Sequence, residues 1–139
     1  MTWKSQQIEI DARPALILVD MRFSARAPMP ELPRLCWLGV WNARPSQGAF
    51  WDPDESSALD GFENDLLGVA QQLGHGWAAY VLRICTSGMR EFYFYAGAGA
   101  KFGRLEPAIR AMQPHYRLEY EEKRDPTWEV YRRYASAAG

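Results

Sequence analysis

The sequence predicts a single α+β domain, and three features carry that expectation. Apolar residues recur at helical spacing in two long stretches and alternate with polar ones in several others. From the third alternating stretch onward the order reads β-α-β-β-α-β. A chain of 139 residues is the size of one domain, large enough to bury a core without a metal or disulfide staple.

Trp3 to Ile10 alternates loosely and reads as a weak first strand; Ala15 to Phe23 is a stronger one, after the break at Arg13-Pro14. Pro28, Pro30 and Pro33 lack amide donors and make a stiff loop. Arg34 to Trp41 is the third strand, and Asn42 to Phe50 a loop rich in turn residues. Asp52, Pro53 and Glu55 form the signature of a helix start with a capping box. Leu59, Phe62, Leu66, Ala70 and Leu73 then follow at helical spacing until Gly74-His75-Gly76. Trp77 to Cys85 and Met89 to Tyr95 are two strands joined by the Thr86-Ser87-Gly88 turn. After a flexible Gly97 to Gly103 connection, a second helix starts near Phe102 to Arg104, which keeps Pro107 in its first turn. Its inward residues are Leu105, Ile109 and Met112. Tyr116 to Glu122 is the last strand, and Asp125-Pro126 caps a terminal helix carrying Trp128, Tyr131 and Tyr134.

This order is that of a ferredoxin-like two-layer sandwich, with two helices on one face of an antiparallel sheet. Residues 1–33 add a two-strand extension, 34–122 form the unit, and 123–139 form a C-terminal helix and tail.

The charge balance, 16 basic against 17 acidic residues, lacks the basic excess of a nucleic-acid binder. No apolar run approaches a membrane span, and the first ten residues contain no apolar leader core. Cys36 and Cys85 read as buried, reduced thiols, which suits a cytoplasmic protein.

Alternation sorts strand side chains into two faces. If the apolar sets pack on the helices, the other face presents Trp37, Trp41, Tyr93 and Tyr95, ringed by Arg83, Arg117, Glu91 and Glu119. Arg90 alternates away from Glu91 but lies at the hairpin mouth, within reach of solvent. Three occupants suit this face. The N-terminal strands or the terminal helix would cover it as a second core. A protein partner or second copy would use its Trp, Tyr and Arg as anchors. Single-stranded RNA would stack on aromatics placed as in RNA-recognition modules, although Arg90 is followed by Glu91 and not by glycine.

Other chemistry finds little support. Gly97-x-Gly99-x-x-x-Gly103 departs from phosphate-loop spacing. His75 and His115 read as turn histidines, with no metal-type spacing to the cysteines. Glu119, Glu121 and Glu122 alternate with basic residues as solvated strand-end charge, so a small hydrolase is a second alternative only.

The run Thr86 to Ala96 (TSGMREFYFYA), with Asp125-Pro126-Thr127-Trp128 and Tyr131, resembles the bacterial domain of unknown function number 695. The resemblance extends upstream through Arg13 to Ile17, Val19-Asp20, Ala27-Pro28 and the Trp37 strand. Where such domains end in Leu-Tyr-Pro, this chain has Arg133-Tyr134-Ala135. The family is distantly similar to ribonuclease E inhibitor proteins of the B type, which are ferredoxin-like and act by binding an enzyme. The family brings no established activity or cofactor; the similarity to the inhibitors favours a non-catalytic binding or regulatory module, and the residues themselves suggest no cofactor or metal. The surface expected from alternation is Trp37, Trp41, Arg83, Arg90, Glu91, Tyr93, Tyr95 and Arg117, and the expected partner another protein or a second copy.

Overall fold

A computed structural model describes residues 3–44 and 50–138. The loop expected over Asn42 to Phe50 falls partly outside the described residues.

Six strands form one sheet: β1 (Trp3–Ile10), β2 (Arg13–Asp20), β3 (Arg34–Trp41), β4 (Ala78–Cys85), β5 (Met89–Ala96) and β6 (Leu118–Arg124). The helices are α1 (Ser56–Gly74), α2 (Leu105–Met112) and α3 (Glu129–Ala138). The sheet order is β1-β2-β4-β5-β3-β6, and every neighbouring pair is antiparallel. The fold is therefore mixed α+β, with a sheet wider than the four strands of the expected unit. The N-terminal strands continue that sheet at the β4 edge and do not fold across a face.

Two cores lie on opposite faces. Cys36, Leu38, Val40, Phe92 and Phe94 pack beneath α1 and α2, against Leu59, Phe62, Leu66, Leu105 and Ile109. Ala15, Ile17, Val19, Leu35, Val81 and Tyr95 pack on the other side against Trp128, Tyr131 and Ala135. The expected two-layer form is thus a three-layer one wherever α3 lies across the sheet. Met112, expected to face inward, is 49% exposed at the end of α2.

Local chemistry sets several boundaries. Asp52 caps a short 3-10 turn, Pro53–Glu55, by accepting from the Asp54 amide at 2.8 Å, and α1 follows at Ser56. Glu55 does not close the expected capping box. It is buried, accepts from the Ala43 and Arg44 amides at 2.8 and 2.9 Å and from the Tyr116 hydroxyl at 2.9 Å, and so ties the end of β3 to α1. The segment Met21–Phe23, expected within the second strand, is a 3-10 turn because Asp20 caps it through the Arg22 amide.

The β1–β2 hairpin closes on two residues, Asp11 and Ala12, with φ of 51° and 64°. Such a turn matches the twist of the strands but places a Cβ in the left-handed region. Ala12→Gly is expected to raise stability by about 0.5–1 kcal/mol in urea unfolding, since glycine takes that conformation freely.

Candidate functional site

The face of the sheet that α3 partly covers can be read row by row from the strand register. Lys123, Leu35 and Tyr95 form one row; Glu121, Trp37 and Tyr93 the next; Glu119, Gly39 and Glu91 the third. Arg117 and Trp41 close the array, with the guanidinium 4.2 Å from the indole centroid. Trp37, Trp41, Glu91, Tyr93 and Arg117 therefore share this face. Three other expected residues are placed differently.

Tyr95 belongs to the buried anchor of α3. Its ring stacks on Trp128 at 4.2 Å and 11°, its hydroxyl donates to Asp125 Oδ2 at 2.6 Å, and the Tyr95 hydroxyl oxygen in turn accepts from the Tyr131 amide at 3.2 Å. Asp125 also accepts from the Glu129 and Val130 amides, at 2.9 and 3.1 Å, and so caps α3 as expected. Burial alone would raise the Asp125 pKa, but these hydrogen bonds outweigh it and hold the carboxyl below its usual value. Trp128 itself precedes the helix, with φ of 55°. The D-P-x-W-x-x-Y ending is thus the clamp that docks α3.

Arg83 and Arg90 lie on the opposite face, under α1. A register shift between Tyr80 and Leu82 inserts one residue into β4, so Val81 and Leu82 both turn toward the α3 core. Every later residue of β4 then changes face relative to strict alternation. Arg83 meets Glu63 at 2.6 Å. Arg90, only 2% exposed, lies 3.4 Å from both Asp60 and Glu63 and 5.1 Å from the Trp51 centroid. It does not reach solvent at the hairpin mouth.

What remains is a cavity of about 300 Å³ between the sheet and α3. Trp37, Glu91 and Tyr93 line it from the sheet, Val130 and Tyr134 from α3, and Glu121 from β6. Glu91 Oε1 accepts from the Trp37 indole at 3.0 Å and the Tyr93 hydroxyl at 3.3 Å. Burial raises the Glu91 pKa above its usual value, and the two hydrogen bonds only partly oppose that. No basic side chain pairs with Glu91 among the described residues. A half-buried carboxylate held by neutral donors alone destabilises a fold, and such groups cluster at functional sites.

Two residues of this site escaped the sequence reading. A Cβ at Gly39 would come within 2.8 Å of the Trp37 ring, so the missing side chain lets the indole lie across β3 toward Glu91. A glycine inside a strand is the signal for such a close approach. From sequence, Tyr134 reads as part of the terminal helix and not of the site. Its spacing from Tyr131 marks one helix face, but only the docked helix shows that this residue overhangs the cavity.

The remaining candidates are structural. Gly97 and Gly99 lie beneath the Trp77 ring, which a Cβ at either position would meet. Burial pushes the Cys36 thiol up to about 11 and raises Cys85 as well, which disfavours thiolate chemistry. Among the described residues no cluster of His, Cys, Asp and Glu is placed to hold a metal ion, and no helix is long and apolar enough to cross a membrane.

No curated protein and no solved structure matches the chain significantly. The model described as "Family of unknown function (DUF695)" matches residues 1–135, almost the whole length. The motifs that dock α3 and line the cavity thus lie within the matched span, and the chain belongs to the DUF695 family of unknown function.

Proposed function

We propose that this chain is a non-catalytic binding module that docks another protein against the sheet face beside α3. The observation that carries the reading is the uncovered aromatic and acidic part of that face, where Trp37 and Tyr93 flank the unpaired carboxylate of Glu91. Trp and Tyr at the centre of a partly desolvated patch are the usual anchors of protein interfaces. Glu91, Glu119 and Glu121 on the same face would repel a phosphate backbone, which argues against the RNA alternative.

The order β4-β5-β3-β6, with α1 and α2 sharing one core, supports a ferredoxin-like unit over residues 34–124 to which β1, β2 and α3 are additions. That arrangement supports the distant similarity to the B-type ribonuclease E inhibitors, and with it regulation by binding an enzyme in a bacterial cell. Two buried free thiols suit the cytoplasm.

The test is affinity capture from host lysate with nuclease treatment, using wild type, Trp37→Ala and Gln71→Ala. Trp37 is half-buried on the proposed face, whereas Gln71 is exposed on α1. A protein retained by wild type and Gln71→Ala but lost with Trp37→Ala is the expected result. Equal retention by all three would place the interface elsewhere, and nuclease-sensitive retention would favour RNA.

A further inference from the structure

We propose that the cavity beside Glu91 receives the ammonium group of a lysine side chain presented by the docked protein, an inference that rests on the docking reading above. Glu91 is already oriented but lacks a cation: its hydrogen bonds come from the Trp37 indole and the Tyr93 hydroxyl. Of the two basic residues on the cavity wall, neither forms an ion pair with Glu91. Arg133 lies 3.6 Å from Glu129, and Lys123 extends from β6 opposite Leu35, one row away from Trp37. Toward the opposite end, the exposed Glu121 and Glu119 flank Trp37 and Gly39, so two carboxylates border that side of the cavity before Arg117 is reached.

The walls suit an organic cation. Trp37, Tyr93 and Tyr134 bound the cavity, and among the described residues none of the three stacks on another aromatic ring. Aromatic rings on the wall of a cavity attract a cation through their quadrupoles. A volume of about 300 Å³ lies at the small end of ligand cavities and matches one long side chain better than a large ligand.

The choice of ammonium over guanidinium follows from lone pairs. A carboxylate offers about four acceptor sites, and Oε1 of Glu91 already uses two of them. A bidentate guanidinium fork requires both oxygens, whereas a compact ammonium needs only Oε2. Docking would thus pair a charge that the free domain leaves unpaired, and that pairing would select partners with a lysine at the contact.

The experiment follows the Trp37 indole N–H by NMR while Nα-acetyl-lysine methylamide is titrated into ¹⁵N-labelled protein. The neutral norleucine analogue and the arginine analogue serve as comparisons. A saturating shift is expected at millimolar concentration, with norleucine weaker by about fivefold or more. Glu91→Gln should erase that preference while keeping a dispersed, folded spectrum. Equal binding of norleucine, a lysine preference that survives Glu91→Gln, or no saturation by about 50 mM would overturn the proposal. Tighter binding of the arginine analogue would overturn the ammonium assignment. Failure here beside a Trp37-dependent capture removes this inference alone. Lysine binding without such a capture removes the docking reading, and with it the protein source of the ammonium.

Discussion

Replacing Trp128 with alanine is expected to lower the unfolding free energy by about 4 kcal/mol, the range for a large buried aromatic. The ring is fully buried between Tyr95, Tyr131 and Phe23, and its indole N–H donates to the Leu32 carbonyl at 2.9 Å. Its left-handed backbone, at φ of 55°, is a conformation that bulky residues rarely hold unless packing enforces it. Alanine would keep that backbone cost, lose the stacking on Tyr95 and leave the Leu32 carbonyl without its donor. The α3 helix, whose docking depends on this cluster, would be released together with the Tyr134 wall of the cavity. Urea unfolding by circular dichroism measures the loss; a change below about 1 kcal/mol would mean that α3 does not dock as described.

The second large effect is expected at Arg90. Arg90→Ala should cost about 3 kcal/mol, because it empties a buried site and removes one of the two arginines beside Glu63. Arg90→Met should recover at least half of that loss, since a hydrophobic chain of similar length fills the space below Trp51. Arg90 lies under α1 and Glu91 on the α3 face. Arg90→Met should therefore leave the preference for lysine over norleucine unchanged, whereas Glu91→Gln should erase it. Loss of binding in Arg90→Met would contradict the division of the two faces.

Period-two alternation made much of the site legible in the sequence. It placed Trp37 and Trp41 of β3, and Glu91 and Tyr93 of β5, on one face, because both strands run without a bulge and their register is continuous. It failed for Arg83 because the irregularity between Tyr80 and Leu82 carries no glycine or proline to announce it. Tyr95 shows a different limit. Alternation assigned it correctly to the same face as Tyr93, yet Tyr95 is buried and Tyr93 only half so. The difference arises where α3 crosses the sheet, which depends on Trp128 adopting a backbone that no propensity favours. Helix spacing and caps mark α1, α2 and α3, while the role of Glu55 is hidden from sequence because its partners, Ala43 and Arg44, are remote in the chain.

The central claim is that Glu91 is kept for binding and not for stability, and Glu91→Gln tests it most directly. Glutamine retains an oxygen for Trp37 and Tyr93 but removes the unpaired charge. Because burial raises the Glu91 pKa in the folded state, its favourable contribution is complete below the usual value of 4.5 and is lost as pH rises through the raised one. The groups facing it are Trp37 of β3, Tyr93 of β5, Glu121 and Lys123 of β6, and Arg133 and Tyr134 of α3. Asp125 acts with the opposite sign and lower in pH, weakening the fold as pH falls through its depressed pKa. Urea unfolding of wild type and Glu91→Gln at pH 7 should therefore show the variant more stable by about 0.5–1 kcal/mol, the gap closing as pH approaches 4.5. A variant less stable than wild type by about 1 kcal/mol or more at pH 7 would show the carboxylate to be a structural partner, closed upon by Lys123 or Arg133, and would contradict the account.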